Sequence, residues 1–338
     1  MNLTWKDFLL TTGARWANGV AADFGDPAGE LAAAGTTTTI IAPLAHLGLL
    51  AVHGSDAPAF LHNQLTSDVK HLPPNAAQHS AWCSAKGRML ASFLTFRTAD
   101  SFLLQLAADL APAIAQRLQM FVLRSQVVVA DRSADYVLLG LAGAQCRAAL
   151  AASGLPTPEA ALSTLASAAG LVICLAPERY EVVVDLAAAP ALWSQLAAHA
   201  RPVGTPVWQW LDIRAGVPLI TRRTSEEFVP QMADFERLGG VSFHKGCYPG
   251  QEVVARTQYL GKVKRHLYRV HAATAIDIGQ AIFARDAPDR PCGTIANAAP
   301  APTGGYEALA VIQENCALSG ALALAAADGP RVELVAGD

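Results

Sequence analysis

Cys247 stands in the run Lys245-Gly246-Cys247-Tyr248-Pro249-Gly250-Gln251-Glu252, where residue types and spacing suit thiol chemistry. Gly246 removes side-chain bulk immediately before the sulfur. Gly239-Gly240 and Pro249-Gly250 supply permissive or preset backbone angles on either side. His244 and Lys245 bring positive charge to the thiol, which favours the thiolate. Gln251 and Glu252 follow the turn and are placed to hydrogen-bond a bound heterocycle or to orient the lysine. A thiol in this setting is a candidate nucleophile or redox-responsive group. The plainer alternative is a free cysteine in a glycine-rich structural turn.

The other five cysteines (Cys83, Cys146, Cys174, Cys292 and Cys316) are far apart in sequence, and none has a partner at C-x-x-C spacing. That spacing disfavours a zinc ribbon, a thioredoxin-like centre and a cluster ligated through a compact cysteine motif, and isolated cysteines are expected as small buried hydrophobes. His62, His71 and His79 have neither metal-ligand spacing nor carboxylate company, so they are expected to be ordinary, and no metal site is predicted. Arg214, beside Gly216, is suited to a ligand carboxylate, because a guanidinium fork binds carboxylates bidentately. A surface ion pair with Asp212 is its alternative. Arg222-Arg223 suits either job. Trp208 and Trp210, two apart, are expected on one face of a strand, in the core rather than stacked on a ligand.

The elements that must position these groups follow from local pattern. Asp56-Ala57-Pro58 predicts a helix start running to Leu65. Gln78–Cys83 and Met89–Arg97 read as strands around the turn Ser84–Arg88, with a third at Ser101–Leu106 and a helix at Leu110–Leu123. A second block predicts strands at Tyr136–Leu141, Leu171–Leu175 and Tyr180–Val184, and helices at Ala144–Ala152 and Ala189–Ala200. That order points to an α+β layer with helices packed on one side of a sheet. From about residue 262, short β-rich runs separated by Gly, Pro and Asp predict a small β-barrel. Thr36–Ile41 reads as a strand, residues 1–35 as an irregular lead-in, and Leu238–Arg256 as a loop.

The 338 residues are enough for two or three domains, and a 52% hydrophobic, 16% charged composition supplies their cores. Apolar runs such as Tyr136–Ala142 fall short of the roughly 20 residues a spanning helix needs. The first ten residues lack a secretory pattern, so a cytoplasmic protein with no membrane partner is expected. A net charge of −3 argues against a chain that coats nucleic acid, and no DNA partner is expected. From Lys245 to Arg269, however, six basic side chains meet one acid, Glu252, for a local +5. That run suits a polyanion such as a polyglutamate tail or RNA, or simply a solvated face.

Lys245–Glu252, followed by Val253-Val254-Ala255-Arg256 and Tyr259-Leu260-Gly261-Lys262, resembles the signature of the YgfZ family. So does the preceding stretch, Phe228-Val229-Pro230-Gln231 leading to Leu238-Gly239-Gly240-Val241-Ser242-Phe243. The family usually has Thr after the tyrosine; here Pro249 stiffens the turn and removes a hydroxyl. Leu50–Val69, Pro177–Val182 and Leu211–Gly216 are similar to segments of the wider glycine-cleavage T-protein superfamily.

The resemblance implies an α+β, T-protein-like folate-binding fold of two interleaved subdomains with a C-terminal small β-barrel. The implied boundaries are residues 1–125 with 205–262, an inserted 126–204, and a barrel at 263–338. It implies tetrahydrofolate or a derivative as cofactor, positioned by Arg214 and Glu181, with Tyr248, Gly250, Gln251 and Glu252 shaping the site. Cys247 would be the reactive group, tuned by Lys245. The implied role is assembly or repair of iron–sulfur (4Fe-4S) enzymes, with client enzymes or assembly factors as partners and an indirect effect on tRNA modification. T-protein enzymes carry an acid where this sequence has Ala91 and Ser92, so whether the chain turns over substrate stays open. A folate-dependent one-carbon transferase and a tRNA-binding module with weak RNA contact are the alternatives.

Overall fold

A computed structural model describes residues 3–259, 261 and 263–335. Leu260 and Lys262 of the signature lie outside the described residues. The chain forms two compact units. The first comprises Met1–Phe60, His71–Gln78 and Leu94–Trp208, and the second Leu61–Lys70, His79–Phe93 and Gln209–Asp338.

The first unit is built on a six-stranded sheet. Its strand order is Thr164–Ser167, Gly170–Ala176, Arg179–Asp185, Tyr136–Ala142, Ile40–Pro43, Arg201–Pro202. Neighbours are antiparallel except the last pair, where Arg201 runs beside Ile40. Helices Cys146–Ala152 and Ala189–Ala197 place Leu150, Leu192, Trp193 and Leu196 against Leu139, Leu141, Val182 and Val184 of the sheet. Alternation along each strand sends one set of side chains to that helical layer, which is why the α+β expectation is met. A second antiparallel group in this unit centres on Leu47–His53, flanked by Phe102–Ala107 and Val128–Asp131.

The expected irregular lead-in is instead ordered structure. Helix Leu3–Thr11 buries Trp5 and Leu9, one turn apart, in the same core, and Trp5 meets Trp193 edge-on at 5.9 Å. A hairpin of Arg15–Ala17 and Val20–Asp23 follows, then helix Pro27–Ala34, whose cap Asp26 accepts from Gly29 N at 3.0 Å. Alanine and glycine from Gly13 onward carry little hydrophobic period and hid the hairpin and the second helix, whereas helix Leu3–Thr11 contains neither and is anchored by two large side chains.

Trp208 and Trp210 are a second correction. They lie on a helix, Thr205–Arg214, not on a strand. Pro206 presets its first turn, and the Thr205 hydroxyl donates to Pro43 O at 2.7 Å. Residues two apart on a helix diverge by about 200°, so each indole meets its own cation: Arg179 sits 4.5 Å over Trp208, and Arg214 sits 5.3 Å over Trp210. Gly140 makes room for Trp208, since a Cβ there would come within 2.4 Å of the indole.

The second unit contains the expected barrel, closed by six strands. Their order is Arg265–Ala272, Tyr306–Gln313, Ala287–Pro300, Ala281–Ala284, Leu322–Leu324, Arg331–Leu334. Val270, Ile282, Ile295, Ile312, Leu324 and Val332 fill it. The 14-residue strand Ala287–Pro300 is not legible locally, because it contains three prolines and a glycine. A bulge between Ile295 and Asn297 absorbs the irregularity. Asn297 then ties the barrel to Leu219, accepting from its N–H at 3.0 Å and donating to its carbonyl at 2.9 Å. Among the described residues no helix is long and apolar enough to cross a membrane.

Candidate functional site

The floor of the site is the hairpin turn Ser84–Arg88, closed by Ser84 N to Arg88 O at 2.8 Å and Gly87 N to Ser84 O at 2.9 Å. Gly250 lies directly on it. A Cβ at 250 would meet Ser84 O at 2.3 Å and Gly87 Cα at 2.7 Å, and its φ is +80°. Both constraints demand glycine. Gly250 then leads into a helix, Gln251–Tyr259, so Gln251 and Glu252 belong to a first helical turn and the expected loop ends before them. Glu252 in the first turn and Arg256 in the last match the helix dipole, the local signal that marks this element. Buried Gln231 pins the helix by donating to Val254 O at 2.8 Å.

Between Gly240 and Gly250 the chain passes over the end of helix Ala57–Gln64. Thr66 stitches the support together: its hydroxyl donates to Gly240 O at 2.6 Å and accepts from Ala81 N at 2.9 Å, while Ser242 N donates to Thr66 O. Lys245 turns inward. Its Nζ donates to the carbonyl oxygens of His62 and Leu65, and lies 4.8 Å from the Tyr248 ring centroid. Burial pulls the Lys245 pKa from 10.5 down to about 8, against the opposing pull of Asp68 and Cys247. Burial, then Cys83, raises the Tyr248 phenol well above its usual range. Cys247 is exposed and the other five cysteines are buried.

His62 and Asp68 complete this group, and local sequence reading missed them. His62 Nδ1 lies 3.0 Å from Asp68 Oδ1, so the expectation that this histidine lacks carboxylate company is corrected. The helix ends between the two residues, and only that reversal brings them together. His71 is exposed; His79 is packed so deeply that its pKa falls to about 4, with Arg237 adding to the effect.

Arg214 lies elsewhere in the same unit, exposed at the end of its helix. It lines an open groove of 360 Å³ with Arg237, Arg269, Asp234 and Tyr268. Arg237 donates to Gly216 O at 2.7 Å, and Arg269 lies 4.0 Å from buried Glu307. Of the basic run, Lys245 therefore faces protein partners, whereas Arg269 lines this groove. Glu181 is in the other unit, buried on strand Arg179–Asp185. Ala91 is fully buried, and the Ser92 hydroxyl accepts from Ile220 N at 2.9 Å. Among the described residues no three His, Cys, Asp or Glu side chains converge as a metal site.

Residues 28–241 match the family described as GCVT N-terminal domain. A curated relative, the tRNA-modifying protein YgfZ of Yersinia pseudotuberculosis, is 34% identical over 240 residues, 70% of this chain and 72% of that protein. The chain belongs to the YgfZ family. Its fold is that of the T-protein: the glycine cleavage system aminomethyltransferase T of Bartonella henselae superposes with a TM-score of 0.79 at 17% identity, covering 99% of this chain and 97% of that one. Within the YgfZ signature the departure at Pro249 falls between buried Tyr248 and tightly constrained Gly250. The unusual residue thus stiffens a turn whose next position already admits only glycine.

Proposed function

We propose that this chain is a tetrahydrofolate-binding protein that assists the assembly or repair of iron–sulfur enzymes and thereby influences tRNA modification. The observation that carries the reading is Cys247, the exposed thiol of the six, set on a segment anchored by Lys245. An exposed thiol beside an ammonium group suits soft electrophiles and iron–sulfur species. The relative's description as a tRNA-modifying protein supports the link to tRNA.

The Arg214 groove supports the folate part. Guanidinium groups of Arg214 and Arg237 are exposed there, and carboxylates of a glutamyl tail are their natural ligands. Bound tetrahydrofolate would supply a carrier for one-carbon units; this chain's residues would bind and orient it. The competing transferase reading lacks a carboxylate at positions 91 and 92, and the Ser92 hydroxyl is engaged with Ile220.

Titration of the purified protein with tetrahydrofolate, followed through its six tryptophans, tests the folate reading, and saturable quenching is expected. In cells lacking the endogenous protein, Cys247→Ala is expected to abolish rescue of iron–sulfur enzyme activity. Flat titration or full rescue would each remove the corresponding half of the reading.

A further inference from the structure

A cavity in the first unit has no part in the reading so far. It measures 170 Å³ and opens where the chain crosses between the two strand groups of that unit, from Ile40–Pro43 into Leu47–His53 and from Val128–Asp131 into Tyr136–Ala142. An apolar cavity of roughly 150 Å³ is enough for one benzene ring. Buried Trp5, Leu44, Leu49 and Leu138 supply the apolar wall, and half-buried Tyr136 adds a second aromatic ring. Exposed Asp131 is the one charged side chain among the described residues that line it.

That carboxylate is held in place. Asp131 Oδ1 accepts from the hydroxyl of Ser133 at 2.6 Å and from its N–H at 2.9 Å, and Ser133 Oγ in turn accepts from Leu49 N at 2.9 Å. Gly48 permits this approach, because a Cβ there would come within 2.8 Å of Ser133 Oγ. Both bonds fall on Oδ1, which leaves Oδ2 outside this network.

We propose that this cavity binds a small aromatic amine, with one six-membered ring against the apolar wall and a short arm that brings an ammonium group to Asp131 Oδ2. Burial of the ring gives affinity, and contact with the Trp5 and Tyr136 rings adds to it. The fixed carboxylate selects the charge, since an ammonium forms a charge-assisted hydrogen bond to it and an anion is repelled. Tetrahydrofolate, with its fused rings and carboxylate tail, is too large for this volume and carries the wrong charge. The site therefore stands apart from the folate reading, whose arginine groove belongs to the second unit.

The test is titration of the purified full chain at low ionic strength and neutral pH with benzylamine, followed by ligand-detected NMR. Benzoate, the same ring with the opposite charge, is titrated in parallel. Saturable binding of benzylamine is expected, with none of benzoate. Asp131→Asn keeps an oxygen for the Ser133 bonds but loses the charge, and is expected to weaken benzylamine binding by roughly ten-fold. Ala45→Phe puts a ring at a position that lines the cavity and is expected to abolish binding. Absence of saturable binding up to about 10 mM would overturn the proposal. So would benzoate binding as tightly as benzylamine, or an affinity for benzylamine that is unchanged in Asp131→Asn. If Ala45→Phe fails to fold, the Asp131→Asn and benzoate comparisons still decide.

Discussion

Lys245 Nζ donates to the carbonyl oxygen of Leu65 at 2.5 Å, so the lysine of the signature is bound to the end of a helix far from it in sequence. The last carbonyls of a helix have no intrahelical donors, and an ammonium there satisfies them and complements the dipole. Lys245 is thus an anchor for the thiol segment as well as a nearby charge.

Lys245→Met should therefore destabilise the protein by about 1–3 kcal/mol, the range for losing hydrogen bonds to a charged donor. Urea unfolding at neutral pH measures it. A pH series isolates the titration. The folded pKa, about 8, lies below the free value of 10.5, so between those limits the unfolded chain binds more protons. Stability relative to Lys245→Met should rise as pH climbs from about 8 to 10.5.

Gly250→Ala should destabilise the protein by about 2 kcal/mol or more. The new Cβ would meet Ser84 O at 2.3 Å, and the positive φ adds backbone strain. A lowered melting temperature is expected. An unchanged melting temperature would contradict the packing of this turn on Ser84–Arg88.

Acid should weaken the fold through His46. Both its ring nitrogens are buried without hydrogen-bond partners, and burial lowers its pKa from 6.5 to about 4. Between these values the unfolded chain binds the extra proton, so stability is lost as pH falls from 6.5 towards 4, by roughly 3 kcal/mol. His46→Phe should move the acid-unfolding midpoint to lower pH.

Thiol titration of the native protein with a disulfide reagent should modify one cysteine rapidly, and all six in denaturant. Burial pushes Cys83, Cys146 and Cys292 up to about 12, so they lack both access and thiolate. Cys247→Ser should abolish the rapid phase.

Arg214→Gln should weaken tetrahydrofolate binding by roughly ten-fold or more, the scale of one charge-assisted hydrogen bond. Tryptophan quenching gives the affinity. Because Arg214 is exposed, the melting temperature should hold.

Much of this molecule was legible in the order of its residues. Alternating apolar positions marked most strands, proline and aspartate marked the helix starts at Asp56–Pro58, and glycines framed the thiol. Such signals act over a few residues, through backbone sterics and side-chain period, so the sequence by itself determined the hairpin at Ser84–Arg88, the β character of the C-terminal region and the singular setting of Cys247. Tertiary structure alone decided what surrounds them. It made a core element of an alanine-rich N-terminus through Trp5, turned Trp208 and Trp210 onto a helix, and gathered Arg214, Arg237 and Arg269 at one groove. It also reversed the chain after helix Ala57–Gln64, placing Asp68 against His62 and both beside the thiol segment. These neighbours are set by which hydrophobic faces pack together and by where Thr66 and Lys245 find hydrogen-bond partners. No local pattern encodes that outcome, because the groups meet only after distant segments have closed on one another.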